Sequence, residues 1–405
     1  MDEARVAAAG QWVIETGLAG AAETELLDGY CRRLADAGLP LARATVLIDT
    51  LHPVHEGRVF RWRRGEAQPA AGMAYGRTSE PGDAADGWRR SPFFRLSESG
   101  GSALRRRLGP EAGAEFPFLA ELRADGQTDY LALIHRFASG RAIGEMDCVY
   151  SSWISDAEAG FSEPHIAALT RLAPSLALAI KCASLAQIAE TLVETYLGRD
   201  AGRLVLSGRI ARGVAERIGA VLWFSDLRGF TRLADTAPPE QVIPLLNDYA
   251  DAIVSSIHEA GGDVLKLIGD GTLAIFRAAA PEEACRAALA AEAAMRARIA
   301  AVSERRAGEG LPTTEAYLGL HIGEVFYGNV GSLDRLDFTV IGPAVNEASR
   351  IAAMCRSAER DTLVSSAFAA AAGPADRARL VSVGRYALRG VARPQELFTL
   401  DPEAA

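Results

Sequence analysis

Soft metal ligands are scarce: 405 residues hold six histidines and five cysteines, and no Cys-x-x-Cys pair occurs. The cysteines, Cys31, Cys148, Cys182, Cys285 and Cys355, are odd in number and have no histidine at metal-ligand spacing, which argues against a zinc site or a disulfide framework. Such thiols suit a reducing compartment. An excess of positive charge is also missing. With 43 Lys+Arg against 52 Asp+Glu the net charge is −9, which points away from nucleic acid and anionic membranes as partners. The longest apolar stretch, Leu172 to Ile180, contains Pro174 and runs into Lys181, short of the ~20 residues a membrane span needs. The opening Met-Asp-Glu-Ala-Arg lacks the basic-then-apolar order of a signal peptide, so a cytoplasmic protein without a membrane span is expected.

What is present fits a globular chain: 49% hydrophobic and 23% charged residues, at a length that suggests two or three domains. Trp12, Trp62, Trp88 and Trp153 all precede residue 160 and only Trp223 follows, a hint of two differently built halves. In the first half, strand-like segments occur at Leu41–Asp49, Arg58–Trp62, Asp129–Phe137 and Glu145–Trp153. Ser162 and Pro164 then suit a helix start, followed by Ile166, Leu169 and Leu172 at helical spacing. Two closing strands, an Asp-x-x-x-Gly-Phe-Ser turn and an apolar helix resemble GAF domains. The resemblance implies an α+β sensor module over residues 1–183 that answers an unidentified small-molecule or protein signal.

Residues 184–215 read as a helical linker. Leu185, Ile188, Leu192 and Tyr196 fall at spacings of three and four, which fits a seam between two subunits or a helix packed on its own domain. Arg199, Arg203, Arg209 and Arg212 follow in a short basic hinge.

The chemistry concentrates beyond residue 216. An apolar run, Ala220 to Phe224, ends at Ser225-Asp226-Leu227-Arg228-Gly229-Phe230-Thr231. A helix is expected from about Pro239, with Leu245, Leu246, Tyr249, Ile253 and Ile257 on one face. Pro244 should kink that helix or mark its first turn, and Gly261-Gly262 should end it. Two apolar runs around Gly269-Asp270-Gly271 read as a hairpin with an acid at its tip. Two aspartates at the ends of hydrophobic strands suit hard divalent cations, and two such ions clamp the attacking and leaving oxygens of a displacement at phosphorus. The backbone N–H groups of Gly229, Phe230 and Thr231 are candidates to hold a triphosphate. Farther on, Asn346 and Arg350 lie four apart on one helical face, an amide beside a guanidinium suited to a ribose and to phosphate charge in the transition state.

Four motifs occur in order: Phe224-x-Asp226-Leu227-x-Gly229-Phe230-Thr231; Lys266-x-x-Gly269-Asp270-Gly271; Gly319-Leu-His-x-Gly323-x-x-x-x-Gly328-x-x-Gly331; and Thr339-x-x-Gly342-x-x-Val345-Asn346-x-Ala348-x-Arg350. Together they resemble the catalytic domain of class III adenylate/guanylate cyclases, over residues 216–405, with Gly384 to Gly390 similar to the family's closing strand. The resemblance implies a ferredoxin-like α+β fold working as a head-to-tail homodimer with active sites at the interface. By matching position, Asp226 and Asp270 would bind two Mg²⁺ or Mn²⁺ ions. Lys266 and Thr339 would read the base, Asn346 and Arg350 would act on ribose and transition state, and Arg335 would contact the triphosphate. A Lys ammonium only donates, which suits adenine N1, and a Thr hydroxyl accepts from N6, so ATP is favoured over GTP. The Thr, where many members carry Asp, resembles a subgroup that includes bicarbonate-responsive enzymes. The expected reaction is attack of the ribose 3′-oxygen on the α-phosphorus, giving cyclic AMP and pyrophosphate. An inactive nucleotide-binding relative and a guanylate cyclase are the alternatives; Val264-Leu265 after Gly261-Gly262-Asp263 excludes a diguanylate cyclase signature.

Overall fold

A computed structural model of the protein describes residues 1–66, 72–111, 115–137, 143–144, 146–389 and 394–401. Two compact units divide at Leu192/Val193.

The first unit runs α1 (Glu3–Leu18), α2 (Glu23–Asp36), β1 (Arg43–Asp49), β2 (Gly57–Arg63), β3 (Met73–Tyr75), α3 (Asp83–Arg89), α4 (Pro92–Glu98), β4 (Ala103–Arg107), α5 (Pro117–Ala124), β5 (Asp129–Arg136), β6 (Cys148–Ser155) and α6 (Glu163–Leu197). Its strands form one antiparallel sheet in the order β3-β2-β1-β6-β5-β4. Alternation along the strands splits the core in two. On one face Val46, Phe60, Leu131 and Trp153 pack against Tyr30 of α2, Val13 of α1 and Leu169 of α6. On the other, Tyr130, Ala132 and Ile154 meet Phe93 of α4 and Leu119 of α5. A sheet covered on both faces explains why β6 is buried along its whole length. Asp129, fully buried, accepts from Arg105 at 2.8 Å and from the Phe161 backbone N–H at 2.9 Å, pinning the turn that leads into α6.

Helix α6 corrects two readings. The run from Leu172 to Ile180 is part of a continuous 35-residue helix with Pro174 inside it, and this helix is long and apolar enough to cross a membrane by length and composition. Leu169, Leu172, Leu176 and Ile180 nevertheless spend that apolarity on the core of the first unit. Of the proposed seam, Ile188 is buried and Leu185 and Leu192 pack against the same core, while Tyr196 is exposed. Those three residues cover their own domain.

The second unit comprises α7 (Arg199–Leu206), β7 (Ala215–Leu227), α8 (Phe230–Thr236), α9 (Pro239–Glu259), β8 (Asp263–Ile268), β9 (Gly271–Phe276), α10 (Pro281–Gly308), β10 (Ala316–Gly331), β11 (Leu336–Ile341), α11 (Pro343–Ala358), β12 (Thr362–Ser365), α12 (Ser366–Ala371), α13 (Pro374–Ala378), β13 (Leu380–Tyr386) and β14 (Gln395–Leu400). The sheet order is β13-β14-β12-β10-β7-β9-β8, with β11 paired to β10. Its centre, β10-β7-β9-β8, is antiparallel throughout, and α9 and α10 pack on one face, the ferredoxin-like βαββαβ arrangement expected from the sequence. Helix α9 begins at Pro239, so Pro244 lies within it rather than marking its first turn. Gly261, at φ +82°, ends it, with the Gly262 N–H donating to Ile257 O. Strand β13 contains Gly384, whereas Gly390 lies outside the described residues.

On the opposite face α11 lies directly on β10. A Cβ on Gly319 would sit 2.4 Å from Ala352 N, and one on Gly323 would sit 2.7 Å from Ala344 Cβ. The Gly-x-x-x-Gly spacing of that motif therefore serves close helix–strand approach, which in turn sets the height of Asn346 and Arg350 above the sheet.

Candidate active site

Register brings the two aspartates together. Ser225 of β7 pairs with Thr272 of β9, so Asp226 continues opposite the β8–β9 turn, where Ile268 pairs with Gly271 and Asp270 occupies the tip. Gly269 supplies the left-handed turn position, φ +62°. Burial, reinforced by the facing Asp270 carboxylate and a hydrogen bond to it, pushes the Asp226 carboxyl up to about 6. Two carboxylates so placed carry unfavourable mutual charge that a cation relieves.

They fit divalent ions in this respect, and hard cations of the Mg²⁺ kind complete their shells with water and phosphate oxygens. The chain supplies only part of such a shell: among the described residues no group of three or more His, Cys, Asp or Glu is gathered at one point.

A solvent-open cavity of about 1470 Å³ lies beside the acids, lined by both aspartates and by Gly229, Phe230 and Thr231. Gly229 is left-handed, at φ +68°, and turns the chain into the short helix α8. Among the described residues, the N–H groups of Gly229, Phe230 and Thr231 donate to no protein acceptor. The loop itself is held firmly. Arg228 N–H donates to Glu315 O at 2.8 Å, its guanidinium bonds the Glu315 carboxylate at 2.6 Å, and Thr314 Oγ1 donates to Arg228 O at 2.7 Å. Thr314 N–H in turn donates to the buried Tyr249 hydroxyl at 2.9 Å. Glu315 and Thr314 were not singled out from the sequence; no local motif marks them, because they reach the loop from the strand start on the far side of β7.

The other expected site residues lie apart from this cavity, whose lining includes none of Lys266, Thr339, Arg335, Asn346 or Arg350. Lys266 on β8 is ion-paired with Asp337 on β11. Asp337 is two residues from Thr339 and therefore on the same face of β11. Period-two reading of that strand would have found Asp337, which the motif comparison passed over. Asn346 is exposed on the first turns of α11 and Arg350, half-buried, follows one turn later. Neither Arg350 nor Arg335 has a carboxylate partner among the described residues, in contrast to most arginines around them. One chain thus presents the expected residues in separate places: the acids with free backbone donors at the cavity, and Lys266, Thr339, Asn346 and Arg350 away from it.

A family model for the adenylate and guanylate cyclase catalytic domain matches residues 214–401. An uncharacterised Mycobacterium tuberculosis protein is 34% identical over 209 residues, covering 51% of this chain and 36% of that protein. The chain spans little more than a third of such relatives. An adenylate cyclase of Anabaena cylindrica is 37% identical over 139 residues, 34% of this chain and 28% of that protein. Among solved structures, the adenylyl cyclase CyaB from P. aeruginosa aligns with 46% of this chain and 95% of that chain, at 27% identity and TM-score 0.42. The guanylyl cyclase Cya2 aligns with 46% and 93%, at 29% identity and TM-score 0.41. Motif order, the ferredoxin-like sheet and the family match agree that residues 214–401 form an adenylate and guanylate cyclase catalytic domain.

Proposed function

We propose that the protein is a cytoplasmic, sensor-regulated adenylate cyclase that converts ATP to 3′,5′-cyclic AMP and pyrophosphate as a homodimer. The observation that carries this reading is that the acids' cavity on one chain includes none of Lys266, Thr339, Asn346 and Arg350, residue sets that a head-to-tail pair would join into two complete sites. The bases are read by donors and acceptors: Lys266 offers a donor to adenine N1, and Thr339, with Asp337 beside it, offers an acceptor to N6. Guanine presents the opposite pattern and would leave these groups unpaired. The Lys266–Asp337 ion pair holds the ammonium in place until the base arrives.

Asp226 and Asp270 would hold two Mg²⁺ or Mn²⁺ ions, which when bound lower the pKa of the ribose 3′-hydroxyl and neutralise phosphate charge. The N–H groups of Gly229 to Thr231 orient the triphosphate, Asn346 orients the ribose, and Arg350 faces the charge that develops on the transferring phosphoryl. Arg335, exposed in the β10–β11 turn, contributes a further charge to the triphosphate.

The regulatory half of the proposal assigns residues 1–183 to a GAF-like sensor, 184–215 to a helical linker and 216–405 to catalysis. Its support is the helix-flanked antiparallel sheet of the first unit and the half-open cavity on that sheet. The free thiols, four of them buried, agree with a reducing location. Cyclic AMP formation from Mn·ATP by the full chain, set beside a chain starting near Glu216, tests both halves. Absence of product in both refutes the enzyme, and equal rates refute regulation.

A further inference from the structure

The first unit holds a half-open cavity of about 740 Å³ between its sheet and helices α3 to α5, a size typical of small-molecule sites. Its sheet wall has a layout that register alone defines. Arg61 of β2, Thr45 of β1 and Ser152 of β6 are directly paired across three strands, making one polar row. Val59 and Leu47, paired with each other, make the adjacent row apolar. Phe93 of α4 and Phe118 of α5 face this wall from the helices.

Two features of the cavity are unfinished. The Tyr130 hydroxyl is 1% exposed and, beside Ser152, has no hydrogen-bond partner of good geometry; burial pushes its pKa up, so it stays a donor. Arg61 is the second. Of the arginines lining the cavity, Arg43 is bonded to Asp125 at 2.7 Å, Arg63 lies 3.9 Å from Glu66, and Arg90 donates to Asp86 O at 3.0 Å. Among the described residues Arg61 reaches only the Met73 sulfur, at 3.5 Å. Among the described lining residues, four arginines stand against two acids, Glu66 and Glu121, an excess of positive charge.

We infer that this cavity binds a small aromatic carboxylate, with its anion on Arg61, its ring system between Leu47 and the Phe93 and Phe118 rings, and an acceptor oxygen toward Tyr130. Arg61, the lining guanidinium with no oxygen acceptor among the described residues, matches one carboxylate in bidentate geometry, whereas a phosphate cluster would call for several such arginines. The binding claim deepens the sensor reading of this unit and, for its regulatory meaning, rests on it.

Titration calorimetry of the full chain with 2-naphthoate, and with the neutral isostere 2-naphthamide, tests the site. Saturable binding of naphthoate, about tenfold tighter than the amide, is expected. Arg61→Gln, at an exposed strand position, should fold as wild type by circular dichroism and bring the two probes within about twofold. Tyr130→Phe should weaken naphthoate less than Arg61→Gln does. No saturable naphthoate binding, or an unchanged preference in Arg61→Gln, overturns the inference. Cyclase rate at saturating naphthoate is read separately: binding without a change in rate upholds the site and counts against the sensor reading.

Discussion

The two units solve a similar packing problem and arrive at opposite electrostatics. Each is a largely antiparallel sheet with helices on both faces, and each keeps a cavity beside that sheet. In the first unit the cavity is walled by apolar side chains and unneutralised guanidinium. In the second, acids outnumber arginines in the described lining, two of the carboxylates crowd each other, and backbone donors lack acceptors. Both arrangements suit an anion, but by different means. The first would offer its own positive charge to a weakly charged ligand; in the second, cations on the two aspartates would add to the lining arginines in holding a strongly charged one. An overall charge of −9 therefore says little about the ligands of either unit.

The largest expected effect strikes the acidic half-site. Asp270→Ala should lower cyclic AMP formation from Mn·ATP by about 10³-fold or more, within the range for lost electrostatic stabilisation at a reaction centre. Unchanged melting temperature would confirm an intact fold, and retained activity would remove Asp270 from the metal site. Next in size is complementation between half-sites. Asp226→Ala and Arg350→Ala chains, each inactive alone, should recover about a quarter of wild-type activity when mixed, since half of the dimers are then mixed and each holds one intact site. Recovery absent in verified mixed dimers would break the division into half-sites.

A tenfold-scale effect is expected at the base readers. Wild type should turn over GTP at least about tenfold more slowly than ATP in kcat/KM, and Asp337→Ala should narrow that ratio by freeing Lys266 to move. Equal turnover of the two nucleotides by wild type would refute the selectivity.

The smallest effect is a pH-dependent stability. Because the Asp226 carboxyl is raised from its ordinary value to about 6, the metal-free fold favours its protonated form. That contribution is fully present below about 4, where the carboxyl is protonated in both states, and is lost as pH rises through 6. Asp226→Asn should therefore melt a few degrees above metal-free wild type at pH 8 and close to it at pH 4, measured in EDTA by calorimetry. Mn²⁺ should raise the wild-type melting point more at pH 8 than at pH 5 and leave Asp226→Asn nearly unmoved. A pH-independent metal shift would sever the link between the buried carboxylate and the cation.

Much of the catalytic half was legible because its signals are local. The apolar run ending at Asp226, the Gly269-Asp270 turn and the Asn346/Arg350 spacing each follow from strand alternation, turn chemistry or helical period within a few residues. Helix α6 was harder. Pro174 and Lys181 interrupt its apolar pattern, yet the helix continues, because its packing against α1, α2 and the sheet outweighs the cost of one missing backbone bond. Pro244 gives the same lesson in α9, where Leu245, Tyr249 and Ile253 are buried in the core.

By itself, then, the sequence determined which residues can do chemistry and that they come in two sets, since residue type and short-range spacing carry that information. Only the tertiary structure decided who their neighbours are. Strand register set Asp226 against Asp270, tertiary packing brought Lys266 of β8 to Asp337 of β11, and glycines in β10 let α11 approach. The row of Arg61, Thr45 and Ser152 across β2, β1 and β6 joins residues up to 107 positions apart in the chain. Pairings of that kind depend on how strands align along their length, and a shift of one residue would have turned every one of these side chains to the opposite face.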